Sequence, residues 1–221
     1  VIGGDSPEGS YVADAMREIT KSDFAFMNVG GIRVPIGKGP ITYEDIFQLM
    51  PFGNTVEVFP MTGHQIRLLI EHSLSVPFTK VNRNDEDYAL ANFRLKARGL
   101  KREFHSTFGY IVPSNLVITF DPERTPMSRI VKLVQGNGRT LLGNKVYTVA
   151  FSSYMGQGGD GFTYLNKWRG KRDSKHLVRD ALVQKVRRDR GITETPAPRM
   201  INMKLSTMPA YPGQGSSSQN P

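Results

Sequence analysis

Apolar and polar positions alternate along the first 73 residues in a way that predicts helices and strands in turn. At residues 10–20, apolar side chains recur at the spacing of one helical face, whereas residues 23–28 contain a continuous apolar run, as in a short buried strand. Residues 54–61 alternate as a strand, and Pro60 restricts the end of that strand to a sheet edge. Three helices are predicted in this part of the chain. The first covers residues 10–20 and is capped by Ser10, and the second begins at Thr42 and ends at Pro51. The third begins with the capping-box spacing of Thr62 and Gln65.

The pattern is lost at about residues 74–106 and then returns. This segment contains a run of positive side chains without apolar periodicity, so we predict an exposed basic insertion. The later part of the chain predicts strands over 110–120, 129–135 and 146–152, a turn at 136–138, a helix capped by Ser174 that ends near Arg190, and a disordered Gly/Ser/Pro-rich tail over 206–221. The whole pattern predicts a single domain over residues 1–205 of the mixed α/β (α+β) class, in which helices flank a mixed sheet.

Positive charge is concentrated in two places. The 221 residues contain 29 Lys and Arg against 20 Asp and Glu, a formal net charge of +9. Residues 167–190 contain ten basic and three acidic residues. The second cluster lies in the insertion and consists of Arg94, Lys96, Arg98, Lys101 and Arg102. These clusters predict affinity for a polyanion or an acidic protein partner, with a solvated helix face as the alternative, and no motif indicates sequence-specific nucleic-acid recognition.

Several kinds of site are excluded by composition. The chain has no cysteine, so it has no disulfide, no thiolate zinc site and no cysteine nucleophile. Its four histidines have no ligand-like neighbours, and no HExxH, GxSxG or P-loop motif is present. No apolar run is long enough to span a membrane. The first residues lack a signal peptide and an initiator Met, which fits a mature or excised fragment.

Five short motifs point to a known family. Three of them lie at predicted junctions between strands and helices, where ligand sites of α/β proteins form. The motifs are ADAMR at 13–17, NVGGIR at 28–33, GPITY at 39–43, PFGNT at 51–55 and GGDGF at 158–162. Their order and spacing resemble the C-terminal, substrate-binding domain of the 5′-nucleotidase family over residues 8–72 and 108–205. This family includes ecto-5′-nucleotidases, UDP-sugar hydrolases, cyclic-nucleotide phosphodiesterases and arthropod apyrases.

The resemblance implies a nucleotide-binding site formed by five residues. Asn28 would contact the base, Arg33 would reach ribose or phosphate oxygens, and Asp160 would accept hydrogen bonds from the ribose hydroxyls. Phe52 and Tyr154 would stack on the two faces of the base, with Tyr154 at a position that is usually Phe. These residue types suit the ligand on chemical grounds, because aromatic rings stack on bases, a carboxylate accepts from a diol and a guanidinium pairs with phosphate.

Each of these residues also has a structural interpretation. Phe52 could belong to the core, Tyr154 could be an ordinary strand-end aromatic, and Asp160 could be a turn residue. Arg33 could be a solvated loop cation, and Asn28 could cap a strand. The sequence also departs from the family pattern: residues 1–10 contain no phosphate-binding Arg, Val29 replaces a glycine, and Ser114 replaces a glycine that borders the base pocket, so we expect Ser114 to narrow the cleft.

Three hypotheses about function follow from the resemblance. The first is the substrate-binding half of a secreted, extracellular 5′-nucleotidase or apyrase, with an adenine nucleoside or nucleotide as ligand. In that family two divalent metal ions belong to a separate N-terminal metallophosphatase domain, so we expect this chain to hold no metal and to hydrolyse nothing alone. The second is an inactive, basic, antihaemostatic protein that binds heparin or a host protein. The third is an enzyme whose metals are supplied by a second chain.

Overall fold

The computed structural model describes residues 6–75, 109–192 and 196–204. The basic residues at 94–102 and the predicted tail lie outside these ranges. The helices are α1 Pro7–Thr20, α2 Tyr43–Leu49, α3 Gly63–Ser75, the single turn α4 Ser153–Gly156, and α5 Val178–Arg188. The strands are β1 Phe24–Asn28, β2 Thr55–Thr62, β3 Ile111–Ser114, β4 Leu116–Phe120, β5 Ile130–Gln135, β6 Val146–Ser152, β7 Arg172–Leu177 and β8 Met200–Asn202.

These strands form two mixed sheets. The larger sheet has the order β3-β1-β6-β2-β7, in which β1 and β6 are parallel and the other pairs antiparallel. The smaller sheet has the order β5-β4-β8, with β4 and β8 parallel. Helix α1 packs against β1 and β3 and also against α5, and the apolar side chains of both sheets and the helices form one core cluster. The predicted class, a mixed α/β fold with helices beside a mixed sheet, is confirmed.

Two helix starts agree with their sequence signals. Thr42 Oγ1 accepts from the backbone N–H of Asp45, and the Asp45 carboxylate accepts from the backbone N–H of Thr42. At α3 the same reciprocal pair joins Thr62 and Gln65. Both arrangements satisfy donors that the first helical turn leaves without intrahelical partners.

Two other predicted caps are wrong. Helix α1 begins at Pro7, and the cap is Ser6, whose hydroxyl accepts from the N–H of Gly9, whereas Ser10 is buried inside the helix. Proline favours the first helical position because its fixed φ suits a helix and it has no N–H to satisfy. Ser174 lies in β7, and α5 begins only at Val178. Pairing of β7 with β2 keeps this segment extended.

Two strand predictions are refined by the structure. The segment 110–120 is divided between the two sheets at Asn115, whose φ of 61° turns the chain. Strand β2 lies between β6 and β7, but β7 pairs with it only at residues 55–58. Pro60 is therefore at a local edge, as predicted, and its carbonyl accepts a hydrogen bond from Trp168 Nε1 at 2.9 Å.

A charged cluster holds α1 against α5. The buried Lys185 ammonium lies 3.0 Å from both Glu18 and Asp189 carboxylates and 4.8 Å from the centre of the Tyr11 ring. The Tyr11 hydroxyl donates to Asp189 at 3.0 Å, and Arg188 pairs with Glu18 and Asp189. Lys185 and Arg188 thus both pair with two carboxylates that would otherwise repel each other across the helix pair.

Replacing Lys185 with Met should lower the free energy of unfolding by about 1–2 kcal/mol, because Glu18 and Asp189 lose the more buried of their two shared cations while the aliphatic packing is kept. Urea denaturation would measure this loss. Arg124→Ala, which removes an exposed pair 3.9 Å long with Asp121, serves as the control and should change stability by less than about 0.5 kcal/mol. Equal stability of both variants would contradict a stabilising role for Lys185.

The Asp189 carboxylate should make stability depend on pH in the acidic range. The hydrogen bond from Lys185, followed by those from Arg188 and Tyr11, lowers the Asp189 pKa from 3.8 to about 2. A depressed pKa stabilises the fold above the unfolded-state pKa, and this contribution is lost as pH falls through the folded-state pKa. The stability advantage of the native chain over Asp189→Asn should therefore be full only above about pH 5, shrink as pH falls, and disappear below pH 2, as measured by urea unfolding at several pH values.

Candidate functional site

Three strand ends bring the predicted site residues to one end of the larger sheet. Strand β1 ends at Asn28, and β6, which is parallel to it, leads directly into Ser153 and Tyr154. The antiparallel strand β2 begins at the same end, where Val56 pairs with Ser152. The backbone N–H of Thr55 also donates to Ser153 Oγ at 3.1 Å. The loops that carry Asn28, Phe52 and Tyr154 therefore open at the same end of the sheet.

Asp160 is the centre of the site. Its carboxylate is buried and accepts from Asn28 Nδ2 at 3.0 Å and from the Tyr154 hydroxyl at 2.9 Å. Its own backbone N–H donates to the Tyr154 oxygen at 3.3 Å. Asp160 adopts a left-handed φ of 53°, between Gly158 at 97° and Gly161 at 85°. The turn interpretation and the site interpretation of Asp160 are thus compatible, because the unusual turn is what directs the carboxylate towards Asn28.

Tyr154 lies against the turn that carries Asp160. A Cβ atom at Gly159 would lie 2.5 Å from atoms of the Tyr154 ring, so only glycine permits this approach. Partial burial and the hydrogen bond to Asp160 raise the Tyr154 pKa above its ordinary value. The hydroxyl therefore stays protonated, and remains a donor to Asp160, throughout the neutral range.

Phe52 is not a core residue. About 42% of its surface is exposed, and 41% of the Tyr154 surface is exposed. The Arg33 guanidinium carbon lies 5.9 Å from the centre of the Phe52 ring. Arg33 also donates through its side chain to Gly30 O at 3.3 Å and through its backbone to Leu49 O at 2.9 Å. Arg33 is therefore fixed beside an aromatic face, which a solvated loop cation would not be.

Chemically, this end of the sheet offers two exposed rings, a buried carboxylate and a fixed guanidinium. The carboxylate oxygens of Asp160 each accept one side-chain donor and retain further lone pairs. The Tyr154 hydroxyl nevertheless competes for the oxygen that a ligand diol would use. The only sequence signal for this competition is the Tyr at position 154, where the family pattern usually has Phe.

The structure shows that Lys171 supports the loop next to this site and that Ser114 lies away from it. Lys171 donates to Gly156 O at 2.8 Å and lies 3.6 Å from Glu57, so it fastens the end of α4 to β2. No sequence signal links these residues, which are far apart in the chain. The expectation that Ser114 narrows the cleft is wrong, because Ser114 is buried beside Ala25, at the opposite end of β1 from Asn28. It bonds Asp14 and Arg17 of α1.

The predicted polyanion residues, Arg94, Lys96, Arg98, Lys101 and Arg102, lie outside the described residues. The second basic cluster, at 167–190, is partly engaged within the fold through Lys171, Lys185 and Arg188. Across residues 6–75, 109–192 and 196–204, no group of three or more His, Asp or Glu side chains is placed to hold a metal ion. No helix in these ranges is long and apolar enough to cross a membrane.

A cavity of about 450 Å³ lies away from these residues. It is bounded by the first turns of α1, the loop at 36–41, and α5, and its walls are mostly apolar. The only charged side chains that line it are Glu8 and Lys38, as far as the described residues go. None of the five predicted site residues borders this cavity.

Comparison with known proteins identifies the family. The family model for the 5′-nucleotidase C-terminal domain matches residues 2–167. An apyrase of Aedes albopictus is 28% identical over 204 residues, which cover 83% of this chain and 32% of the relative. A 5′-nucleotidase of Diplobatis ommata is 27% identical over 186 residues, covering 75% of this chain and 28% of the relative. The endonuclease YhcR of Bacillus subtilis is 40% identical over 90 residues, or 41% of this chain and 7% of the relative.

Solved structures agree on the fold. The 5′-nucleotidase precursor of Thermus thermophilus superposes with a TM-score of 0.71 at 24% identity, over 90% of this chain and 36% of that one. The Haemophilus influenzae NAD nucleotidase superposes with a TM-score of 0.68 at 18% identity, over 89% of this chain and 33% of that one. The chain therefore spans about a third or less of the length of these relatives. By the match of its motifs, its sequence and its fold, the chain belongs to the 5′-nucleotidase C-terminal domain family.

Proposed function

We propose that this domain binds an adenine nucleoside or nucleotide at the end of the larger sheet. The base stacks between the exposed rings of Phe52 and Tyr154, with Asn28 at its polar edge. Asp160 accepts hydrogen bonds from the ribose hydroxyls, and Arg33 contacts ribose or phosphate oxygens. The 5′-nucleotidases and apyrases among the relatives support this class of ligand.

The observation that carries this proposal is the setting of Asp160. A buried carboxylate is costly unless its oxygens are hydrogen-bonded, and the chain provides Asn28 and Tyr154 for that purpose. The same carboxylate lies in a strained, left-handed turn next to an exposed aromatic ring. Strained turns of this kind concentrate at binding sites, where the surrounding structure maintains them.

The domain acts in this proposal as the substrate-binding part of a nucleotide hydrolase. A metallophosphatase domain, in the same or another chain, would hold two divalent metal ions and supply the hydrolysis. The residues described here bind and orient the nucleoside, and the described ranges offer no cluster for those metals. An extracellular location and a role in nucleotide breakdown follow from the family resemblance and form part of the proposal.

Isothermal titration with adenosine and AMP tests the site directly. Asp160→Asn should weaken adenosine binding by about 10-fold or more, because hydrogen bonds to a charged acceptor contribute about 1.5–3 kcal/mol. Asparagine tolerates a left-handed backbone, so the turn should be retained. Phe52→Ala should weaken binding by a similar factor through lost stacking.

Asp121→Asn is the matched control, because Asp121 lies in a turn after β4 and its side chain contacts its neighbours Glu123 and Arg124 in the described structure. This variant should bind adenosine as the native chain does. Circular dichroism melts would confirm that all variants are folded. If neither nucleoside nor nucleotide released heat, or if Asp160→Asn bound as tightly as the native chain, the proposed site would be rejected.

Tyr154→Phe separates stacking from the competing hydrogen bond. The variant keeps the ring but frees Asp160 Oδ1 for the ligand, so adenosine affinity should be unchanged or several-fold higher. Tyr154→Ala removes the ring and should weaken binding by about 10-fold. Equal weakening by both variants would mean that the hydroxyl, rather than the ring, is what the ligand requires. The same titration calorimetry measures both.

A further inference from the structure

A second pair of exposed aromatic rings lies on α2, beside the proposed nucleoside site. Tyr43 and Phe47 are four residues apart and so share one face of the helix. They are 56% and 45% exposed, whereas Ile46 and Leu49 on the other face are buried. Rings that lie half-exposed and side by side are unfavourable in water and are typical of a binding surface.

Arg179 at the start of α5 joins these two rings. Its guanidinium carbon lies 4.9 Å from the centre of the Phe47 ring and 6.0 Å from that of Tyr43. Its Nε atom is buried and has no hydrogen-bond acceptor, and no salt bridge joins it to a carboxylate among the described residues. Within that part of the chain, the Arg179 guanidinium therefore contacts aromatic rings and pairs with no carboxylate. An anionic ligand could pair with it. We refer to Tyr43, Phe47 and Arg179 together as the aromatic stripe.

The aromatic stripe is continuous with the proposed site. The backbone N–H of Val178, the residue before Arg179, donates at 2.9 Å to the carbonyl of Asn54, in the loop that carries Phe52. At the other end of that loop, Arg33 N–H donates to Leu49 O, the last residue of α2. Two arginine–aromatic units, Arg33 with Phe52 and Arg179 with Phe47, therefore border the same loop.

We propose that the aromatic stripe binds the nucleotide next to the one held at Phe52 and Tyr154, so that the ligand is a single-stranded oligonucleotide. The inference rests on the proposed function. The neighbouring base stacks on Phe47 or Tyr43, and its phosphate pairs with Arg179. Stacking accepts any base, since every base has an aromatic face, and no base-reading groups are needed.

Charge favours this ligand over an uncharged partner. The chain has a formal net charge of +9. The two acidic side chains at the start of α2 are engaged locally, Glu44 with Gln48 at 2.9 Å and Asp45 with Thr42 at 2.6 Å. A duplex does not suit the stripe, because its bases are already stacked on one another and cannot reach the rings.

The test compares single-stranded hexa-adenylate with AMP, using the full chain and titration calorimetry. Phe47→Ala and Arg179→Gln should each weaken hexa-adenylate binding by about 10-fold and leave AMP binding unchanged. Arg179→Gln should also reduce the slope of log affinity against log salt by about 1, because one phosphate contact is lost. Leu142→Ala, at a 61% exposed apolar residue away from the stripe, is the control and should change neither affinity.

The outcomes distinguish this inference from the proposed function. Asp160→Asn could weaken the binding of both AMP and hexa-adenylate while Phe47→Ala and Arg179→Gln weaken the binding of neither. In that case the nucleoside site is supported and the role of the aromatic stripe is overturned. If AMP binding is unaffected by Asp160→Asn, the proposed function fails and this inference fails with it. Equal affinity for single-stranded hexa-adenylate and for a stable duplex of about 20 mixed-sequence base pairs would also overturn the inference, because stacking on the stripe requires unpaired bases.

Discussion

The site depends on one buried carboxylate that hydrogen bonds hold in a fixed orientation. Asp160 could not remain buried without donors, and its two oxygens are satisfied by Asn28 at the end of β1 and Tyr154 just after β6. These donors come from two neighbouring parallel strands, so the position of the carboxylate is set by the central pairing of the sheet. The left-handed turn around Asp160 is costly for a residue with a side chain, and its two hydrogen bonds offset that cost. Binding geometry and sheet geometry are therefore coupled at this point.

Charged contacts attach α1 to the sheet and to α5. Arg199 forms a two-pronged ion pair with Asp14 of α1 and also donates to Pro113 O of β3. One turn further along α1, Lys185 pairs with Glu18 and so joins α1 to α5. Because α5 follows β7 directly and is bonded to the Phe52 loop through Val178, movement of α5 would displace that loop. These charged contacts therefore lie away from the proposed site, and their link to the Phe52 loop runs through α5.

Local signals in the sequence predicted local structure well and tertiary structure less well. The cap at Thr42 was predictable because both members of the hydrogen-bonded pair lie within four residues. Ser10 and Ser174 were equally good caps by composition. Ser10 is not the cap because Pro7 fixes the start of the helix, so that Ser6 caps it. Ser174 is not a cap because strand pairing overrides its local preference. Ser114 was misplaced for a similar reason: which end of β1 it lies beside depends on the register of β3, which no short motif reports. The family motifs, in contrast, contain Asn28 and Asp160, and Tyr154 lies six residues before Asp160, so the grouping of these three residues could be expected from the family resemblance.

Exposed aromatic rings pose a physical problem that this domain solves in the same way three times. A ring left on a surface tends to collapse onto other apolar groups, which would close the face that a base would approach in the proposed function. Here each ring is held by a polar partner instead: Tyr154 by Asp160, Phe52 by Arg33, and Phe47 by Arg179. The hydrogen bond of Tyr154 is made at the rim of its ring, although Gly159 packs against that ring. An arginine over one face of Phe52 or Phe47 leaves the other face open while adding positive charge for a phosphate. A ring that packed only against aliphatic neighbours would be more stably placed but would present less of its surface. The repeated use of polar partners therefore suits a surface built to stack on charged aromatic ligands rather than one built for the protein core.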